Sequence, residues 1–275
     1  MTEGTFELPG EHPVSVAMRA TVRGVLRDIE REQGVTVLFA CESGSRGWGF
    51  ASPDSDYDVR FVYVRRPRDY LTLDPVRDVI ERPISGELDV GGWDLRKALQ
   101  LLRDSNPTLL EWLRSPIVYE QDDEAAARLR TLAAARFSLV RGYHHYVSMA
   151  KKNLREHLYG DEVRLKKYLY VLRPLLAARW IRERGSAPPM VFADLARHTL
   201  REPGVQAELV ALLAAKMRSG EARTGPRRAA LHEFIERELA VAQAAAVRDD
   251  PKPDGRELDA FLHDTVLRFA PRPGA

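Results

Sequence analysis

The chain has 275 residues, of which 44% are hydrophobic and 30% charged, and its formal net charge at pH 7 is +2. This length and composition indicate a globular protein with one large domain or two modest ones. A disulfide framework is excluded because there is a single cysteine, and a membrane span because no apolar run is long enough. We find no secretory signal, so the expected location is the cytoplasm, without a membrane partner.

The first elements of the chain alternate between helix and strand. SVAMRATVRGVLRDIEREQG has apolar residues at helical spacing and predicts a helix that ends at Gly34. VTVLFAC is a short β-branched run and predicts a buried strand, in which Cys41 is a small core residue. YDVRFVYV predicts a second strand.

Two further strands and two helices are predicted before residue 122. DVIERPI and GELDVGGW read as strands around a turn at Ser85 and Gly86. DLRKALQLLRDSN then predicts a helix for which Asp94 would be the N-cap. PTLLEWLRS predicts another helix, with Pro107 in its first turn.

The pattern of residues changes after about residue 122, beyond which few segments predict a strand. Long helical patterns cover residues 123–158, 161–185, 204–220 and 228–250. We therefore predict an α/β (α+β) domain over residues 1–122, followed by an all-α helical domain over residues 123–275.

The stretch GSRGWGFASPDSDYDV connects the first two predicted strands. Backbone N–H groups at Gly44 and Ser45, in a turn after a buried strand, suit phosphate oxygens. Asp56 and Asp58 are two residues apart, so on a strand their carboxylates share one face and favour a cation such as Mg²⁺ between them. The alternative is a glycine-rich hairpin with an acidic turn.

The spacing of this stretch resembles the active-site motif of the DNA polymerase β-like nucleotidyltransferases. A Gly-Ser pair is followed by ten residues and then by Asp-x-Asp-apolar, with Tyr57 and Val59 in the apolar positions. The resemblance implies a third carboxylate on a neighbouring strand. Asp89 is favoured because a strand position can face the pair, and Asp94 is the alternative at the start of the next helix.

A closer resemblance is carried by GSRGWGFASPDSDYDVRFVYVRRPRDYL, WDLRKALQLLRDSNPTLLEWLRSPIVY and KKYLYVLRPLLAARWI. These segments, within residues 38–180, are similar to the RNA-repair-pathway DNA polymerase β family of bacteria and phages. The resemblance implies a nucleotidyltransferase domain with a mixed sheet. It further implies that helices of the second domain complete the cleft for nucleotide and acceptor.

The activity implied by the resemblance is transfer of a nucleoside monophosphate from a nucleoside triphosphate to an acceptor hydroxyl. Two Mg²⁺ ions, or Mn²⁺, would be held by Asp56, Asp58 and Asp89, and Asp89 or Asp94 would serve as general base. Gly44, Ser45 and Arg46 would contact the triphosphate.

The helix from residue 166 supplies further candidates for nucleotide binding. Lys166, Tyr170 and Arg173 share one face at helical spacing, and Lys167 belongs to the Lys-Lys-Tyr segment of the family. Such a face can bind phosphates and stack a base, whereas the alternative is a solvated face with extended cations. Lys151, Lys152 and Arg155 could widen this patch for a polynucleotide.

Three functions are compatible with these motifs. The first is modification of an RNA or DNA end, as in RNA repair. The second is nucleotidylation of a protein or a small molecule, as in antitoxin-like and antibiotic-modifying relatives. The third is an inactive interaction protein on the same fold, which is disfavoured because all the acid positions are filled. Neither the acceptor nor the oligomeric state follows from the sequence.

Overall fold

The computed structural model describes residue 8 and residues 13–219, 224–248 and 254–270. Its strands are β1 (Thr36–Glu42), β2 (Tyr57–Val64), β3 (Val79–Glu81), β4 (Leu88–Asp94), β5 (Val118–Gln121), β6 (Glu162–Arg164) and β7 (Thr224–Pro226). Its helices are α1 (Val16–Gln33), α2 (Gly44–Gly47), α3 (Leu95–Arg103), α4 (Pro107–Leu113), α5 (Asp123–Arg136), α6 (Leu139–His157), α7 (Lys166–Arg184), α8 (Phe192–Thr199), α9 (Pro203–Ser219), α10 (Ala229–Ala244) and α11 (Arg256–Arg268). A 3₁₀ turn covers Pro67–Tyr70.

The described residues form two compact units. The sheet unit contains residues 13–44, 56–137 and 254–270, and the helical unit contains residues 45–55, 138–219 and 224–248. This division differs from the boundary expected at residues 122 and 123. Helices α5 and α11 belong with the sheet because Ala126 and Phe261 are buried in its core.

The sheet unit is built on five strands in the order β3-β4-β2-β1-β5. β2 and β4 run parallel and the other neighbours antiparallel, so the sheet is mixed, as predicted. The register of β2 and β4 sets Asp58 beside Asp89, and Tyr63 beside Asp94. Because side chains alternate along each strand, Asp58 and Asp89 extend from the same face of the sheet.

Both faces of the sheet are covered. On one face, Phe61 packs in a cluster with Leu26 and Ile29 of α1. On the other, Phe39 and Val62 pack in a cluster supplied by α3, α4, α5 and α11. Each fully buried leucine, isoleucine or phenylalanine contributes about 1.5–3 kcal/mol by leaving water. Burial on both faces explains why VTVLFAC reads as a continuous apolar run.

Local signals at the ends of the first helices agree with the sequence predictions. The hydroxyl of Ser15 accepts from Met18 N at 3.1 Å at the start of α1. Gly34 ends α1 with φ +62°, a conformation that glycine adopts without steric cost. At the start of α4, the side chain of Asn106 accepts from Thr108 N at 2.9 Å and Pro107 occupies the first turn.

Two of the long helical patterns after residue 122 are interrupted. The first forms α5 and α6, since Phe137 is extended and Ser138 caps α6 by accepting from Arg141 N at 3.2 Å. The second begins with β6, which pairs with β7, so the predicted all-α domain carries a two-stranded ribbon. Apolar spacing continues through both breaks, and therefore it does not reveal them.

Paired charges accompany the apolar packing of the helical unit. Arg179 donates from Nε to Glu183 at 3.0 Å, and Arg182 donates to Glu238 at 2.6 Å. Pairing offsets the cost of burying these charges. The pair between Arg182 and Glu238 links α7 to α10, whereas the pair between Arg179 and Glu183 lies within α7. No helix among the described residues has the length and apolar character needed to cross a membrane.

Cys41 lies in β1 with no exposed surface, and burial raises the pKa of its thiol. Because the thiolate is the reactive form, we expect the native protein to react with Ellman's reagent at least about 100-fold more slowly than the chain unfolded in guanidinium chloride. Stopped-flow absorbance of the released thiolate measures both rates. A fast native reaction would show that β1 is accessible.

Candidate active site

Asp58 and Asp89 form a carboxylate pair on neighbouring parallel strands. Arg60, two residues after Asp58 on β2, lies between them. Its Nη2 donates to Asp89 Oδ2 at 2.7 Å and to Asp58 Oδ1 at 3.3 Å, and its Nη1 donates to Asp89 O at 3.2 Å. The side chains of Asp58 and Asp89 are 30% and 36% exposed, so a ligand from solvent can reach both.

Gly44 abuts the carboxylate of Asp58 so closely that there is no room for a side chain at this position. Its φ is +56°, and a Cβ built on it would lie 1.9 Å from Asp58 Oδ2. The neighbouring Ser43 N donates to Asp58 O at 2.8 Å. Glycine is therefore required here both by the backbone conformation and by the close approach to the carboxylate.

A buried glutamate fixes the backbone of Asp58. Glu42, at the end of β1, accepts from Asp58 N through Oε1 at 2.8 Å. Its other carboxylate oxygen accepts from the hydroxyl of Tyr119, whose pKa is raised by burial and by the charge of Glu42. Glu42, Tyr119 and Arg60 were not among the residues predicted for the site. Only Arg60 carried a usable signal, since its spacing from Asp58 gives the two side chains one face of a strand.

Asp56 is exposed and immediately precedes β2. It was expected to join Asp58 and Asp89 as a third metal ligand. Across the described ranges of the chain, no three histidine, cysteine or acidic side chains are grouped so that they could hold a metal ion. The donor set that the structure brings together is thus the Asp58 and Asp89 pair. Two carboxylates still suit Mg²⁺, which commonly takes one or two of them and completes its shell with water and substrate phosphates.

Asp94, the alternative third acid, lies at the opposite end of β4 from Asp89. The two residues are five positions apart along the strand, a distance of about 16 Å. Asp94 is buried and caps α3, its carboxylate accepting from Arg96 N at 2.8 Å and from the Tyr70 hydroxyl at 2.9 Å. Burial raises the pKa of this carboxyl group. These contacts make Asp94 a helix cap rather than a partner of Asp58.

Ser45 and Arg46 begin the segment of the motif that belongs to the helical unit, and both are buried. Ser45 O accepts from Phe50 N at 3.0 Å. The guanidinium of Arg46 donates from Nη2 to Ser55 O at 2.6 Å, which joins the two ends of the segment. Arg46, predicted to contact phosphate, thus makes a buried contact within its own loop in this structure.

The four residues of α7 that were predicted to bind nucleotide differ in their exposure to solvent. Lys166, Lys167 and Tyr170 are half-buried, and Lys167 Nζ lies 5.1 Å from the centre of the Tyr170 ring. Arg173 is buried, with its guanidinium 4.5 Å from the centre of the Trp48 ring and Nη2 donating to Met190 O at 3.3 Å. Arg173 therefore packs inside the helical unit, whereas Lys166, Lys167 and Tyr170 retain exposed surface.

Comparison with known proteins places the chain in a family. The model of the RNA repair pathway DNA polymerase beta family matches residues 18–264. This chain is a member of that family. The match extends well beyond residues 38–180, the part on which the sequence motifs rest, and it includes α9 and most of α11.

Individual relatives add little about chemistry. The family member is 44% identical over 251 residues to the protein YcgL of Bacillus subtilis (strain 168), whose name describes it as uncharacterized; the alignment covers 90% of this chain and 96% of YcgL. A crystal structure of a nucleotidyltransferase-like protein from Exiguobacterium sibiricum is 14% identical, with 91% of this chain and 76% of that chain covered. Its TM-score of 0.31 carries no structural argument.

Proposed function

We propose that this member of the RNA repair pathway DNA polymerase beta family is a metal-dependent nucleotidyltransferase that moves a nucleoside monophosphate from a triphosphate to an acceptor hydroxyl. The observation that carries the proposal is the pairing of Asp58 with Asp89 in register on parallel strands, with both carboxylates partly exposed and Gly44 against Asp58. The match of the chain to the family supports the same class of activity.

In this proposal, each group around the carboxylate pair has a distinct role. Asp58 and Asp89 would hold Mg²⁺, which would supply charge neutralisation for the transferred phosphoryl group and a lower pKa for the attacking hydroxyl. Arg60 keeps the two carboxylates together and balances their charge, so it is a positioning residue. Asp89 accepts the proton of the attacking hydroxyl as the general base. Contacts of the triphosphate with Gly44, Ser45, Lys166, Lys167 and Tyr170 stay predictions of the sequence.

The decisive experiment is incubation of the protein with each labelled triphosphate and Mg²⁺, in the presence of RNA, of DNA or of no added acceptor. We expect label transfer that is lost when Asp56 and Asp58 are both replaced by alanine. Label on the protein itself, without nucleic acid, would favour the second candidate function, nucleotidylation of a protein. Label transfer by the double variant would contradict a mechanism that depends on these carboxylates.

A basic face on α6 favours a nucleic-acid acceptor. Exposed residues recur along this helix at helical spacing, and Glu156 is its sole acidic residue: the exposed side chains before it are Arg141, His144, Ser148, Lys151, Lys152 and Arg155. Nearby, burial and the charges of Lys167 and Arg164 lower the pKa of His157, which agrees with a positive potential there. A row of cations suits a phosphate backbone.

The basic face predicts salt-dependent binding of single-stranded RNA. Replacing Lys151 and Arg155 by alanine should weaken binding and reduce the slope of log K against log salt by about 1.4, if each cation neutralises one phosphate. Fluorescence anisotropy of a labelled oligonucleotide over a salt series measures the slope. The control replaces Arg27 and Arg103, which are exposed on α1 and α3, by alanine and so removes the same amount of positive charge. Equal effects of both pairs would contradict a specific role for α6.

A further inference from the structure

Lys216 is a buried lysine near the end of α9 that reaches the motif segment of the helical unit. It is 2% exposed. Its Nζ donates to Phe50 O at 2.9 Å, to Ser52 Oγ at 3.2 Å and to Ser55 Oγ at 3.4 Å. The ammonium also lies 5.7 Å from the centre of the Phe50 ring. All of these contacts are made to residues 50–55, more than 160 positions earlier in the chain.

The two serines that Lys216 contacts are the ends of a closed turn, which we call the serine turn (residues 52–55). Ser55 N donates to Ser52 O at 3.0 Å, and Ser52 N donates to Ser55 Oγ at 3.0 Å. The two hydroxyls lie 3.1 Å apart. Arg46 donates to Ser55 O from the other side. The next residue in the chain is Asp56, so the serine turn leads directly into the segment that carries the carboxylates.

We propose that Lys216 is the positioning residue that holds the serine turn in the conformation from which the chain enters Asp56 and β2. A buried ammonium is tolerated only where it is well hydrogen-bonded, and the oxygens of residues 50–55 supply that bonding. Conversely, without Lys216 these buried oxygens would lose a charged donor, which costs more than the loss of a neutral one.

The effect of Lys216 on nucleotidyl transfer rests on the proposed function, whereas its effect on the serine turn does not. Transfer depends on the placement of carboxylates within a fraction of an ångström, and small errors of placement lower the rate strongly. Loosening the serine turn should therefore lower kcat. KM for the triphosphate should change little, because Lys216 is buried and holds the turn.

The test is hydrogen exchange of the native protein by mass spectrometry, without nucleotide or metal. In Lys216→Met we expect the amides of residues 50–56 to exchange at least about tenfold faster, the scale of one hydrogen bond from a charged donor. Lys216→Arg should restore part of the protection. The matched control is Arg179→Met, which removes another buried cation of the helical unit, one that pairs with Glu183 and Glu238 rather than with the serine turn. It should destabilise the unit and leave residues 50–56 protected.

The outcomes separate the two proposals. Unchanged exchange of residues 50–56 in Lys216→Met, or equal loosening in Arg179→Met, would overturn the role of Lys216. If Lys216→Met does not fold, Ser52→Ala combined with Ser55→Ala removes the two hydroxyl acceptors and is held to the same exchange criterion. Absence of transfer in the unmodified protein would count against the proposed function alone, since the exchange result still decides the role of Lys216.

Discussion

Replacement of Gly44 by alanine is expected to lower the proposed nucleotidyl transfer by about 100-fold or more, the loss associated with moving a reacting group by roughly 1 Å. The new Cβ would lie 1.9 Å from Asp58 Oδ2, so the carboxylate or the backbone must move. The left-handed backbone of Gly44 adds a cost of about 1–2 kcal/mol for any L-residue. The measurement is the initial rate of label transfer at saturating triphosphate.

Gly34→Ala is the matched control for this substitution. Gly34 has nearly the same backbone conformation, with φ +62°, but the nearest atoms to an added Cβ belong to the side chain of Arg66 at 3.8 Å. Gly34→Ala should therefore lose a similar amount of stability from backbone strain and keep its transfer rate. If both variants lose activity equally, strain alone explains the effect and the crowding of Asp58 does not.

Replacement of Asp89 by asparagine is expected to reduce transfer by about a thousandfold or more, since removing a ligand and base forfeits several kcal/mol of charge stabilisation. The free energy of unfolding should change by less than about 1 kcal/mol, because the pair with Arg60 is partly exposed. A loss of rate without a loss of stability separates a site residue from a core residue. Label transfer and urea unfolding of the same preparation give the two quantities.

Asp94→Asn provides the opposing variant. Asparagine caps helices about as well as aspartate: its amide oxygen can accept from Arg96 N in place of Oδ1, and its NH2 group, in place of Oδ2, can donate to the Tyr70 hydroxyl. We therefore expect a transfer rate within about threefold of the unmodified protein, a difference of less than 1 kcal/mol. A rate that collapses in Asp94→Asn but survives in Asp89→Asn would reverse the assignment of the third acid.

Local signals sufficed to predict most elements of the sheet unit. Helix α1 with its end at Gly34, the strand YDVRFVYV and the helix cap at Asp94 follow from periodicity, glycine and capping chemistry within a few residues. The choice of Asp89 over Asp94 needed a strand register, which depends on parallel pairing between β2 and β4. The flanking apolar residues favoured a strand position for Asp89, and the register places Asp58 beside it.

Contacts between distant parts of the chain leave no local pattern in the sequence. Lys216 looks like any helical lysine until α9 meets the serine turn, because burial of a long side chain depends on what packs around it. Likewise, α11 lies beyond the last predicted helical pattern, which ends at residue 250, and nothing in its own residues indicates which core receives it. The burial of Arg173 was not predicted for the same reason. Helical spacing assigns Arg173 to a face of α7, but its exposure depends on the residues that pack on that face.

The placement of α11 has a consequence for how the protein is made. Leu258 and Phe261 fill part of the core beside β1 and α5, although about 120 residues separate α5 from α11. A ribosome therefore releases the strands long before the helix that covers them. While the chain is being synthesised, the apolar surface that α11 will occupy stays uncovered, and the helical unit emerges in the interval. Completion of the carboxylate-bearing fold thus waits until α11 has been synthesised, and a nascent chain cut short before α11 would expose this apolar surface.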